Sequence, residues 1–207
     1  MKNQIAIFAL SALFAAGMML VQPGQISAQT NTNQPKEGSV NDRRQDQQQR
    51  IANGVQSGQM TTGETTRIEG REANVNREIH ADRSANGGKL TAQERQRVNR
   101  QQNNISKSIY IDKHNASQAR FDNNEVGQRR ENQQDRIANG IGNGSMSAGE
   151  AAHAENRQQN INRHIAADRS ANGGRLTAQE RRNINRRQNG ASRQIYRQKH
   201  NQRVAPR

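Results

Sequence analysis

Cysteine is missing from all 207 residues. Its absence excludes disulfides, thiolate metal sites and a lipid-modified N-terminal cysteine. Tryptophan is also absent. Once Phe8 and Phe14 are set aside with the N-terminal apolar segment, only Tyr110, Phe121 and Tyr196 remain as aromatics. The core must therefore be aliphatic and thin, and with almost no stacking platform for bases, sequence-specific nucleic-acid recognition is not expected. Proline is confined to Pro23, Pro35 and Pro206. The long stretch between the last two can therefore form uninterrupted helices.

Only one long apolar run exists. It follows Lys2, extends from Ile5 to Val21, and gives way to Pro23-Gly24 and a polar stretch ending Ile26-Ser27-Ala28. A short basic start, an apolar centre and a small residue before Gln29 mark 1–28 as a secretory signal peptide rather than a membrane span. No comparable run follows, so no membrane span is expected after cleavage. The expected address is periplasmic or extracellular.

The formal net charge is +14, and loss of Lys2 with the signal leaves about +13. A basic surface rich in Arg, Gln and Asn outside the cytoplasm points to an anionic envelope component or polymer as partner.

What the chain has in abundance is itself. Arg50-Ile51-Ala52-Asn53-Gly54 recurs as Arg136-Ile137-Ala138-Asn139-Gly140, and Lys113-His114-Asn115 as Lys199-His200-Asn201, at a constant offset of 86 residues. Between Ala81 and Arg95 the copies differ only in Lys89 against Arg175. The organisation read from this is a disordered leader over 29–42, a helical repeat over 43–115, a connector over 116–128, a second repeat over 129–201 and a tail over 202–207.

Each copy contains two Gly-x-apolar-Thr/Ser-x-x-Glu segments. The pairs Thr61/Glu64, Thr91/Glu94, Ser147/Glu150 and Thr177/Glu180 are capping boxes, in which hydroxyl and carboxylate each satisfy an orphan backbone group at a helix start. They predict an all-α fold of two tandem three-helix units, with helices over roughly 43–54, 61–85, 91–112, 129–140, 147–171 and 177–198. Periodicity agrees. Ile68, Val75 and Ile79, then Val98, Ile105 and Ile109, then Ile184, Ala191 and Ile195 recur at spacings of seven and four, each set on one helical stripe. With roughly ten large apolar side chains, one copy alone is marginal and gains from packing on the other or on a ligand.

Three constellations are candidate sites. The segment from Asp82 to Glu94 resembles an EF-hand calcium loop. Asp82, Ser84 and Asn86 stand at the first, third and fifth places, Gly87 at the sixth, and Glu94 closes the loop. Asp168, Ser170, Asn172 and Glu180 repeat the pattern. The apolar residue and the closing Glu each come one place late, only two of the residues are acidic, and the same letters also make a helix terminus followed by a capping box. No cofactor is required by this reading; calcium is the alternative.

The second constellation is Arg182, Arg186, Arg193 and Arg197, on the opposite side of the last helix from its apolar stripe. They are candidate polyanion contacts, although Gln96, Arg100, Lys107 and Ile111 stand in their places in the first copy. The third is Tyr110/His114 and Tyr196/His200, four residues apart on one helix face. Tyr is expected to pack beneath the bundle, while Lys and His favour the helix C-terminus. His80, His153 and His164 have no His counterpart in the other copy. No nucleophile elbow, paired-His helix or phosphate loop occurs, and the chain is read as non-enzymatic.

The run of apolar-Thr-x-x-Glu-Arg followed by Gln-Asn-x-x-Ser-x-x-Ile-Tyr-x-x-Lys-His-Asn covers Leu90–Asn115 and Leu176–Asn201, with Ala191 and Arg197 departing from Ile105 and Ile111. It resembles a group of exported bacterial helical-repeat proteins. The resemblance implies a bacterial periplasmic or secreted address and carries no activity with it.

Overall fold

The computed structural model describes residues 39–201. The expected signal peptide, the leader up to residue 38 and the tail over 202–207 lie outside them. The described residues are all-helical: α1 Val40–Gln56, α2 Thr62–Ala85, α3 Ala92–His114, α4 Glu125–Gly142, α5 Ala148–Ala171 and α6 Ala178–Lys199.

All four expected capping boxes form, each with the hydroxyl accepting from the Glu backbone and the carboxylate accepting from the Thr or Ser backbone. A fifth starts α1, where Ser39 pairs with Asp42. This start places residues 40–42 in a helix, against the leader expected there. Asp is the shorter relative of the Glu sought at that place, yet its carboxylate reaches the Ser39 backbone at 2.9 Å. The connector is shorter than expected for a similar reason. Asn124 accepts from the Gly127 backbone at 3.0 Å and opens α4 at residue 125.

Helices α2 and α5 end on paired left-handed glycines. Gly87 and Gly88 have φ of 63° and 88°, and Gly173 and Gly174 have 61° and 87°. The conformation lets the Gly88 and Gly174 backbones return to the Arg83 and Arg169 carbonyls at 2.7 and 2.8 Å, closing the helix ends.

The two copies do not stand apart. Equivalent helices pack on each other most extensively, α2 on α5 and α1 on α4, while α3 and α6 each lean only on the helices of their own copy. The contacts are reciprocal: Gly63 approaches Gln159, and Gly149, its equivalent, approaches Ala73, the equivalent of Gln159. Such exchange is the mark of a two-fold relation, here approximate and within one chain. One core runs through both copies, joining Ile51, Met60, Ile68, Ile105 and Ile109 to Ile137, Ile141, Met146 and Ile195. A smaller cluster of Val126, Ile161, Ile165, Ile184 and Ala191 belongs to the second copy. Every member of the three apolar stripes is buried.

Candidate functional site

The Asp-Ser-Asn-Glu loops are built as helix caps. Asn86 turns its amide nitrogen toward the Glu94 carboxylate at 2.9 and 3.0 Å and also donates to the Asp82 carbonyl. Glu94 accepts from the Thr91 backbone. Ser84 donates its hydroxyl back to the His80 carbonyl, and the Asp82 carboxylate is held by Arg97 at 2.8 Å. Asn172 and Glu180 repeat the amide-to-carboxylate bond at 2.8 Å, and Asn172 also donates to the Asp168 carbonyl. A calcium cage needs oxygens converging on one point. Here Asn and Ser point hydrogens at neighbouring oxygens. The Thr91 backbone bond holds Glu94 below the usual carboxylate range, as that of Thr177 does Glu180.

Most of the repeated Gln-Asn-x-x-Ser-x-x-Ile-Tyr-x-x-Lys-His-Asn run is also structural. Gln47 of α1 reaches across to the Gln102 carbonyl and the Ser106 hydroxyl at 2.6 and 2.8 Å, and Gln133 does the same to Gln188 and Ser192 at 2.7 Å. Gln102 and Gln188 donate in turn to the backbones of Val40 and Val126. These bonds clasp the first helix of each copy to its third. Asn115 and Asn201 close onto Glu64 and Glu150, the carboxylates capping α2 and α5, at 2.7 and 2.6 Å.

The tyrosines depart from expectation. Tyr110 and Tyr196 are 60% and 57% exposed, so they do not pack under the bundle. The neighbouring Ile109 and Ile195 take the buried place, and the tyrosines fall just outside the stripe. Each ring instead stacks on the histidine one turn later, with centroids 4.2 and 4.1 Å apart. His114 and His200 donate from Nδ1 to the Tyr110 and Tyr196 carbonyls at 2.7 Å, which fixes each imidazole against its ring.

The arginine face of α6 is bare. Arg181, Arg182, Arg186, Arg187, Arg193 and Arg197 are all exposed, and among the described residues none of them is ion-paired with a carboxylate. The first copy differs. There Arg97 of α3 is paired with Glu78 and Asp82 of α2, and Arg67 with Asp112 of α3 at 2.8 Å. In the second copy His164 replaces Glu78, Gln198 replaces Asp112 and Arg187 replaces Gln101. Glu78 and Asp112 are thus lost together with their partners, since Asn183 and His153 stand where Arg97 and Arg67 do, while cations are added at Arg182, Arg187 and Arg197. Arg182 to Arg197 spans about 22 Å of helix. Its two ends open on clefts. A cleft of about 650 Å³ at the start of α6 is lined by Arg175, Arg181 and Arg182 beside Val126 and Leu176. Another, of about 470 Å³ near the end, is lined by Arg136, Ser192, Arg193, Tyr196 and Arg197.

A third feature escaped the sequence reading. Glu69, Glu72 and Glu155 are buried carboxyls between the helices, and Glu69 and Glu155 are equivalent positions of the two copies. Gln48 and Gln134 donate to one oxygen of Glu69 and Glu155 at 3.2 and 3.0 Å; the other oxygen of each, and both of Glu72, have no hydrogen-bond partner. Burial pushes Glu72 up to about 7 and Glu155 up to about 8, and it pushes Glu69 well above the usual range, with help from Glu72. A signal existed, because Glu72 lies four residues after Ile68 and three before Val75, on the same stripe. Charge made it look like a surface residue. Glu69 and Glu155 are sealed at 0% exposure.

No protein-family model, curated protein or solved structure matches this chain.

Proposed function

We propose that this is a non-catalytic, exported basic helical protein that binds an anionic envelope component or polymer in the periplasm or outside the cell. The observation that carries the reading is the unpaired arginine face of α6. Exposed guanidiniums with no carboxylate partner exchange mainly water and counterions when they meet phosphate, carboxylate or sulfate, Arg186 also giving up a bond to the Asn183 side chain, and their planar fork suits bidentate contact. The N-terminal signal-like segment supports the address. The sealing of Glu69 and Glu155 speaks against acid-base catalysis by them, since a catalytic acid must reach its substrate.

Inorganic polyphosphate is a suitable probe. Binding is expected to weaken steeply from 50 to 300 mM salt, as counterion release requires. Changing Arg182, Arg186, Arg193 and Arg197 together to Gln is expected to flatten the slope of log affinity against log salt by about 3, if each loses one phosphate contact. Salt-independent binding, or a variant that binds like the parent, would overturn the proposal.

A further inference from the structure

The repeated Tyr-Lys-His-Asn element has one member without a structural task. Ile109 and Ile195 fill the core, Asn115 and Asn201 tie down the α2 and α5 caps, and Lys113 and Lys199 lay their stems against Gly54 and Gly140. His114 and His200 brace the tyrosines. Apart from that stacking, the tyrosines are more than half exposed. Three arginines, Arg136, Arg193 and Arg197, line the same groove as Tyr196. Arg136 is anchored by a bond to the Ser192 carbonyl at 3.2 Å, so part of this rim is held in place.

We infer that Tyr196, braced by His200, is a stacking platform for a base of single-stranded nucleic acid, with Arg136, Arg193 and Arg197 taking its phosphates. A flat aromatic surface beside closely set cations answers the two chemistries a polynucleotide alternates, and stacking is available to every base. Arginine rather than lysine at all three rim positions fits phosphate by bidentate contact. The bare face of α6 continues the track through Arg186 and Arg182. Binding is therefore strand-selective without sequence preference. The expectation of almost no platform for bases rested on the small number of aromatics; two of those few, Tyr110 and Tyr196, are exposed.

This inference rests on the polyanion reading, and the two fail differently. The full chain is titrated against twelve-residue oligothymidylate, inorganic polyphosphate of matched phosphate number, and polygalacturonate. Oligothymidylate is expected to bind more tightly than polyphosphate, and Tyr196→Ala to weaken it about tenfold or more while leaving polyphosphate unchanged. Tyr196→Phe is expected to keep the wild-type affinity. In a Tyr110→Phe chain, Tyr196 is the one tyrosine and there is no tryptophan; its emission should be quenched by the oligonucleotide and not by polyphosphate. Equal affinity of Tyr196→Ala and wild type for oligothymidylate, with no quenching, overturns the platform and leaves the polyanion reading intact. A Tyr196→Ala loss confined to polygalacturonate would overturn it in favour of an acidic polysaccharide. Failure to bind all three polymers would remove both proposals.

Discussion

Glu72 shows how much one residue can differ between two copies of the same scaffold. Its equivalent, Gln158, donates to the Gln133 side-chain oxygen at 3.0 Å inside the second copy. In the first copy the corresponding oxygen, on Gln47, has no donor, and neither do the two oxygens of Glu72 have one. A protonated Glu72 could fill the gap; an ionised one cannot. Around it stand Arg44 of α1, which draws the carboxyl down, and Arg71 and Glu69 on its own helix, with Glu155 of α5 close to Glu69. Desolvation wins. Because the native carboxyls titrate above the ordinary value of 4.5, the folded protein keeps protons that the unfolded chain has released. The stabilisation is complete below about pH 4.5 and is lost as pH rises through about 7 for Glu72 and about 8 for Glu155. At the acid end, Glu64, Glu94 and Glu180 titrate below the usual value, so their caps weaken as pH falls below that range. Thermal stability should therefore peak near pH 5 and decline toward pH 8. Glu72→Gln copies the second repeat and should raise the pH 8 melting temperature and flatten that decline, with Glu72 contributing on the order of 3 kcal/mol. A variant that melts no higher than wild type at pH 8 would refute this account.

At the scale of the element, helix starts were the most legible feature, since a capping box is a local chemical object that needs no tertiary partner. Its shorter Ser-Asp form at Ser39/Asp42 and the lone Asn124 cap were harder to see, and they account for the early starts of α1 and α4. Helical glycines were opaque, because a sequence does not say what lies beside them. A methyl group at Gly54 would meet the Met60 sulfur at 2.6 Å, and one at Gly140 the Met146 sulfur at 2.6 Å, with both methionines fully buried. Gly70 and Gly190 face nothing within 4 Å. Alanine improves a helix by roughly 1 kcal/mol over glycine, whereas overpacking a filled core costs about 1–3 kcal/mol. Chemical denaturation should thus find Gly70→Ala and Gly190→Ala more stable than wild type, and Gly54→Ala and Gly140→Ala less stable. Stabilisation by the latter pair would mean the methionines yield freely.

At the scale of the molecule, the shared core and the reciprocal packing of α1 on α4 and α2 on α5 make the copies depend on each other. The connector adds a backbone bond from Ala119 to the Gly58 carbonyl at 2.8 Å, the Phe121 ring beneath Arg130 and an ion pair of Asp122 with Arg169 at 2.6 Å. A protease site placed near Gln118 and cut in the folded protein should leave the two pieces co-eluting in size-exclusion chromatography at neutral pH. Separation of the pieces would show that the tether, rather than the interface, holds the copies together.

By itself the sequence determined the helices, their caps and their apolar stripes, because each depends on residues no more than a turn or two apart. It also determined that the structure would be repeated, since the duplication is written in the letters. Tertiary structure alone decided which faces meet. Burial of Glu69, Glu72 and Glu155 and exposure of Tyr110 and Tyr196 follow from the pairing of equivalent helices around an approximate two-fold and from which helix is left outside it. Local patterning fixes what a helix can bury, but solvation of a charge or a ring depends on the neighbour that arrives from far along the chain.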